Sequence, residues 1–127
     1  MATLVLNVDD YQPTLYARQK ALQRHGFTVL NAASGRDALA LNDRHHPDVV
    51  LLDVGLPDMN GLEVARQVKT ATPDAAPIVI HVSATHRGDG DRLHGLIYGG
   101  ADAYLVEPLE PEELVRTINR LLSARTE

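Results

Sequence analysis

Five short apolar runs recur along the chain with helical stretches between them. They are TLVLNV at 3–8, FTVL at 27–30, VVLL at 49–52, IVIHV at 78–82 and AYLV at 103–106. Together they are rich in β-branched residues, and several are continuous rather than alternating, which is the pattern of strands covered on both faces. The stretches between carry helix punctuation. Pro13 stands where a first helical turn tolerates proline, and Gly26 closes that segment after His25. Ser34 with Asp37, and Asn60 with Glu63, have the spacing of N-terminal caps ahead of apolar positions at helical intervals. Pro111 opens a last helix whose Leu114, Val115, Ile118, Leu121 and Leu122 form one stripe. The fourth helical segment, between Thr85 and Gly100, holds Gly88, Gly90, Gly95 and Gly99, so the expectation is a short or mobile helix.

Five strand–helix alternations predict an α/β fold. The expected form is a five-stranded parallel sheet in the order 2-1-3-4-5 with helices on both faces. At 127 residues one domain spanning 1–127 is expected, and with no Trp and one Phe its core must be aliphatic. Twelve basic against seventeen acidic side chains give a net charge of −5, which argues against binding to nucleic acid or an anionic membrane. The absence of cysteine excludes disulfides and thiolate metal sites. No apolar run reaches the length of a membrane span, and the N-terminus lacks a signal-peptide pattern; a cytoplasmic location is the expectation.

In open sheets of this order, ligands bind beyond the carboxyl ends of the strands, where the strand order reverses between the first and third. Strand one ends in Asp9-Asp10 and strand three in Asp53. Strand four ends in Ser83-Ala84-Thr85, and strand five in Glu107-Pro108. The turn after strand one, VDDYQP, has no glycine to bring backbone amides to a phosphate, and it offers carboxylates that would repel one. Such a site is built for a cation first: carboxylate oxygens are hard ligands suited to Mg²⁺. A lone aspartate after a strand is usually a cap or a solvated turn residue. Three converging on one switch point are harder to explain that way, because unpaired like charges cost stability.

With NVDD, LLDVGLPDMNG, the SAT after strand four and GADAYLVEP in place, the chain resembles the receiver domain of two-component response regulators over essentially its whole length. The resemblance implies the flavodoxin-like receiver fold. It implies Asp53 as phosphoacceptor from a histidine kinase or phosphotransfer protein, and Mg²⁺ bound by Asp9, Asp10, Asp53 and the backbone carbonyl of Gly55. Ser83 and Tyr104 would be the switch pair, and the face of helix four, strand five and helix five a possible homodimer surface. A carboxylate can attack phosphorus once a cation neutralises charge on both partners.

One position departs from the resemblance. Before Pro108 most receivers carry a lysine, and here stands Glu107. Unit charges about 4 Å apart interact by roughly 4 kcal/mol at an effective dielectric of about 20, so the reversal is large. Glu107 could turn out to solvent or to Arg87 or Arg92, join the acidic cluster around a metal, or stay inside as the neutral acid; the first is expected, leaving the pocket without its cation. Altered switching follows from it, and the alternative is a pseudo-receiver acting as a phosphorylation-independent interaction module. A phosphatase using an aspartyl phosphate is disfavoured, since the residue two beyond Asp53 is Gly55 rather than an acid. The histidines, including the adjacent His45-His46 and His81 within strand four, show no zinc-site spacing and are read as structural.

Overall fold

The computed structural model describes residues 2–83 and 100–125. In chain order these form β1 (Leu4–Val8), α1 (Gln12–Arg24), β2 (Thr28–Ala32), α2 (Gly35–His45), β3 (Val49–Leu52) and α3 (Gly61–Ala71). A 3₁₀ turn (Pro73–Ala75), β4 (Ile78–Ser83), β5 (Ala103–Val106) and a C-terminal helix (Pro111–Arg125) follow. The helix expected between Thr85 and Gly100 lies outside the described residues but for Gly100 itself. All pairings are parallel and the strand order is β2-β1-β3-β4-β5, as the alternation predicts. The boundaries shift slightly: β2 runs two residues further, to Ala32, than its apolar run suggests.

Because side chains alternate along a strand, the sheet has two chemically separate faces. Leu6, Val8, Val50, Leu52 and Val79 pack against Ala38 of α2 and Val64, Ala65 and Val68 of α3. Val5, Val49, Leu51, Ile80 and Val82 pack against Leu22 of α1 and Leu114, Val115 and Ile118 of the C-terminal helix. Burying one such side chain is worth about 1.5–3 kcal/mol. These aliphatic layers therefore hold the sheet, and the polar residues at its upper edge are carried by a frame that does not need them.

The helix ends follow their sequence signals. Pro13 lies in the first turn of α1, and Gly26 at φ +91° closes its far end, with the Phe27 amide donating back to the Leu22 carbonyl. Ser34 Oγ accepts from the Asp37 amide at 3.1 Å, and Asn60 Oδ1 from the Leu62 amide at 2.8 Å. Glu63 pairs with Arg66 and Gln67 along the exposed side of α3. A further cap comes from a distance. Asp58, in the loop after β3, accepts from the amides of Gly35 at 2.8 Å and Arg36 at 2.9 Å, so a carboxylate from one crossover closes the N-terminus of another's helix. These bonds hold the Asp58 carboxyl below its usual range.

Gly61 brings α3 against the end of β3. Its amide donates to the Val54 carbonyl at 2.9 Å. A β-carbon there would overlap the Asp53 carbonyl oxygen and stand 2.7 Å from Val54 Cα, both backbone atoms that cannot turn aside.

Two outcomes follow. Gly61→Ala should destabilise the fold by about 1–3 kcal/mol, measured by urea denaturation, because the loop after Asp53 must move to admit the methyl group. Asp58→Ala should lower Tm at neutral pH. A carboxyl whose folded pKa is depressed contributes stability above its unfolded value and loses it as pH falls. The Tm gap between wild type and variant should therefore close as pH drops below about 4.

Candidate functional site

The backbone ladder itself brings the acidic residues together. Val8 pairs with Leu52 at the top of β1 and β3, and the next amides extend the ladder past the strand ends. The Asp53 amide donates to the Val8 carbonyl at 3.2 Å, and the Asp9 amide to the Ala32 carbonyl at 3.1 Å. Asp9 and Asp53 thus sit on neighbouring strands at the point where the chain order reverses. One carboxylate oxygen from each of Asp9, Asp10 and Asp53 lies within 4.8 Å of the others. Asp9 is buried, Asp53 half-buried and Asp10 exposed.

Each buried carboxylate also has a local restraint. Asp9 Oδ1 accepts from the Tyr11 amide at 2.9 Å, fixing the turn into α1, where the Tyr11 side chain makes no cap of its own. Asp53 Oδ1 accepts from the Gly55 amide at 3.3 Å. Burial pushes both carboxyls above their ordinary pKa. The Asp9 charge adds to the rise at Asp53, and the amide of Tyr11 and the Arg18 guanidinium oppose it at Asp9. All three donors are hard oxygens. Magnesium at about 2.0–2.1 Å from each ligand spaces them by no more than about 4.2 Å, so a small contraction, or one intervening water, fits the trio to that ion. A β-carbon on Gly55 would meet nothing within 4 Å among the described residues, which leave the pocket open on that side.

The remaining predicted residues divide between the two faces. Ser83, at the end of β4, and Tyr104, in β5, are buried on the face that α2 and α3 cover. Tyr104 is 2% exposed, its hydroxyl has no partner among the described residues, and its ring packs on His81 with centroids 5.7 Å apart. His81 is packed rather than ligating: its Nδ1 meets the Leu52 carbonyl at 3.2 Å, and burial lowers its pKa. Glu107 follows β5 on the opposite face, joined to Pro108 by a cis peptide bond. Its amide donates to the Ser83 carbonyl at 2.8 Å.

Glu107 corrects one expectation. Arg87 and Arg92 lie outside the described residues, and the carboxylate is instead turned to a cation on α1. Arg18 Nη2 donates to Glu107 Oε1 at 2.8 Å, while Leu109 donates its amide to Oε2 at 3.1 Å. Nη1 of the same guanidinium stands 3.7 Å from Asp9 Oδ2 and 3.4 Å from Asn7 Oδ1. The pocket is therefore not without a cation. Sequence reasoning missed Arg18, although there was a signal. It occupies the buried stripe of α1 with Leu15, Ala21 and Leu22, where a charge needs a partner.

A parallel sheet of this order, with carboxylates from two strands gathered at its switch point, is suited to a cation rather than to the phosphates of a nucleotide. Comparison with known proteins gives the family. Residues 5–119 match the family described as the response regulator receiver domain. Protein PilH of Pseudomonas aeruginosa is 38% identical over 120 residues, covering 94% of this chain and 97% of that protein. Response regulator MprA of Mycolicibacterium vanbaalenii is 37% identical, but the chain spans about half of its length, 53%. Among solved structures, a CheY-like receiver domain protein from Methanospirillum hungatei superposes with a TM-score of 0.90 at 26% identity, covering 99% of this chain and 98% of that one. The chain belongs to the response regulator receiver domain family and is a signalling domain of two-component systems, not a conventional enzyme. None of the described helices is long and apolar enough to cross a membrane.

The raised carboxyl pKa values carry a stability cost. A carboxyl whose folded pKa lies above its unfolded value favours the fold most at low pH and loses that contribution as pH rises through the folded value. At neutral pH the charged Asp53 therefore works against folding, and Asp53→Asn should raise Tm by several degrees in metal-free buffer. Added Mg²⁺ should raise the Tm of the wild type more than that of the variant.

Proposed function

We propose that Asp53 accepts a phosphoryl group from a histidine kinase or phosphotransfer protein, with Asp9, Asp10, Asp53 and the Gly55 backbone carbonyl holding Mg²⁺. The observation that supports this reading above all is the convergence of three carboxylate oxygens within 4.8 Å at the β1–β3 switch point. The ion, when bound, neutralises charge on the anionic donor and on the attacking carboxylate. A carboxylate oxygen of Asp53 forms the new bond to phosphorus as the bond from phosphorus to the donor nitrogen breaks, and the departing imidazole nitrogen takes its proton from solvent. The Gly55 amide orients the attacking group, and the open space above Gly55 gives a donor its approach.

Ser83 and Tyr104 are the switch pair in this reading. Tyr104 is already turned inward, its hydroxyl buried and without a partner among the described residues, an arrangement whose cost a new hydrogen-bonding partner would relieve. Glu107 alters that switching, because strand five presents an anion to Arg18 where the family resemblance implies a lysine. Self-association through the face of helix four (outside the described residues), β5 and the C-terminal helix, self-dephosphorylation at Asp53, a cytoplasmic location and a domain reaching from 1 to 127 belong to the same reading.

Incubation with acetyl phosphate and Mg²⁺ should add one phosphate by intact mass, abolished by EDTA and by Asp53→Asn. No labelling by acetyl phosphate or by a cognate kinase would refute the reading. Equal partner binding by wild type and Asp53→Asn would favour an interaction module independent of phosphorylation.

A further inference from the structure

We infer that Arg18 supplies the counter-charge of the acidic pocket from helix α1, and that Glu107 is the positioning residue that holds it there. This rests on the reading of Asp9, Asp10 and Asp53 as a metal-binding acceptor site, and extends it to two residues which that site does not include.

The Arg18 side chain is 6% exposed, which an arginine tolerates only when its charge is met. Two anions meet it, and they come from different strands. Glu107 Oε1 takes Nη2 at 2.8 Å, a full charge-assisted hydrogen bond, while Asp9 Oδ2 stands 3.7 Å from Nη1, close enough for attraction but beyond hydrogen-bond reach. The guanidinium is thus committed to Glu107 and only leans on the pocket. Glu107 is itself pinned, because its other oxygen accepts from Leu109 and its amide is tied to Ser83. Asn7, buried near the carboxyl end of β1, supports the arrangement from below: its Oδ1 faces Nη1 at 3.4 Å and its Nδ2 donates to the Leu15 carbonyl of α1 at 3.0 Å. A planar fork held at both ends by β1 and β5 has little freedom to leave.

The charges then fix what each residue does. Among the described residues, Asp9, Asp10 and Asp53 contribute −3 when ionised, and Arg18 and Glu107 add +1 and −1, so these five side chains together carry −3. Removing the guanidinium makes the local sum −4, which strengthens cation binding and repels an anionic donor. Neutralising Glu107 makes it −2, which does the reverse. Arg18 and Glu107 together set a balance between holding a divalent cation and admitting a phosphoryl donor. A pair that only braces α1 against β5 would affect folding and leave that balance alone.

The test is isothermal titration of the folded chain with Mg²⁺ alone, joined to the rate of Asp53 labelling by acetyl phosphate. Arg18→Gln should bind Mg²⁺ about tenfold tighter and label more slowly, and Glu107→Gln should bind about tenfold more weakly. Arg18→Lys, which keeps the charge, should stay near wild type, and the double variant Arg18→Gln/Glu107→Gln should return towards it. Circular dichroism checks each fold; if Arg18→Gln does not fold, Glu107→Gln and Arg18→Lys decide the matter. Wild-type binding of Mg²⁺ with every variant within about twofold of it would overturn the role of the pair and leave the acceptor reading standing. A wild type that neither binds Mg²⁺ nor labels would overturn both.

Discussion

The site depends on two backbone hydrogen bonds. The Asp53 amide reaches the Val8 carbonyl and the Asp9 amide reaches the Ala32 carbonyl, one residue beyond the last pairs of β1 with its two neighbours. Each continues a ladder whose register is set lower down, by aliphatic side chains buried on both faces of the sheet. Carboxylates that would otherwise separate are therefore brought side by side by parts of the chain that carry no charge. The cost of placing function at that edge is visible in the raised pKa values of Asp9 and Asp53, owed first to burial and then to neighbouring carboxylates.

Alternation along the strands then assigns different work to the two sides. Asn7, Arg18 and Glu107 form a polar chain on the side of α1 and the C-terminal helix, in line with Asp9. His81, Ser83 and Tyr104 lie on the other side, in a buried layer where Tyr104 packs on His81 and each of these two keeps a polar atom with no partner among the described residues. Charge is thus balanced on one side of the sheet and packing is adjusted on the other. The backbone joins them directly, since the Glu107 amide donates to the Ser83 carbonyl.

Much of this was legible in the sequence because it depends on local rules. The five β-branched runs gave the strands, Pro13 and Gly26 the ends of α1, and Ser34 and Asn60 the caps of α2 and α3. The grouping of Asp9, Asp10 and Asp53 followed from strand order alone. Two features could not be read that way, since each joins residues far apart in the chain. Arg18 and Glu107 are separated by 89 positions, and only the adjacency of α1 to the end of β5 makes them partners. Asp58 carries no local signal of its role, because the amides it caps belong to a helix 22 and 23 positions earlier. A charged residue inside an apolar stripe, as Arg18 is, was the one local clue to either.

Asp58 has a mechanical consequence. The loop that leaves Asp53 is fastened at its middle to the first two amides of α2, on the far side of the sheet's centre from β4 and β5. A movement that lifts this loop at Asp58 would cost both amides their carboxylate acceptor, so the loop beside the acidic cluster and the first turn of α2 share one anchor.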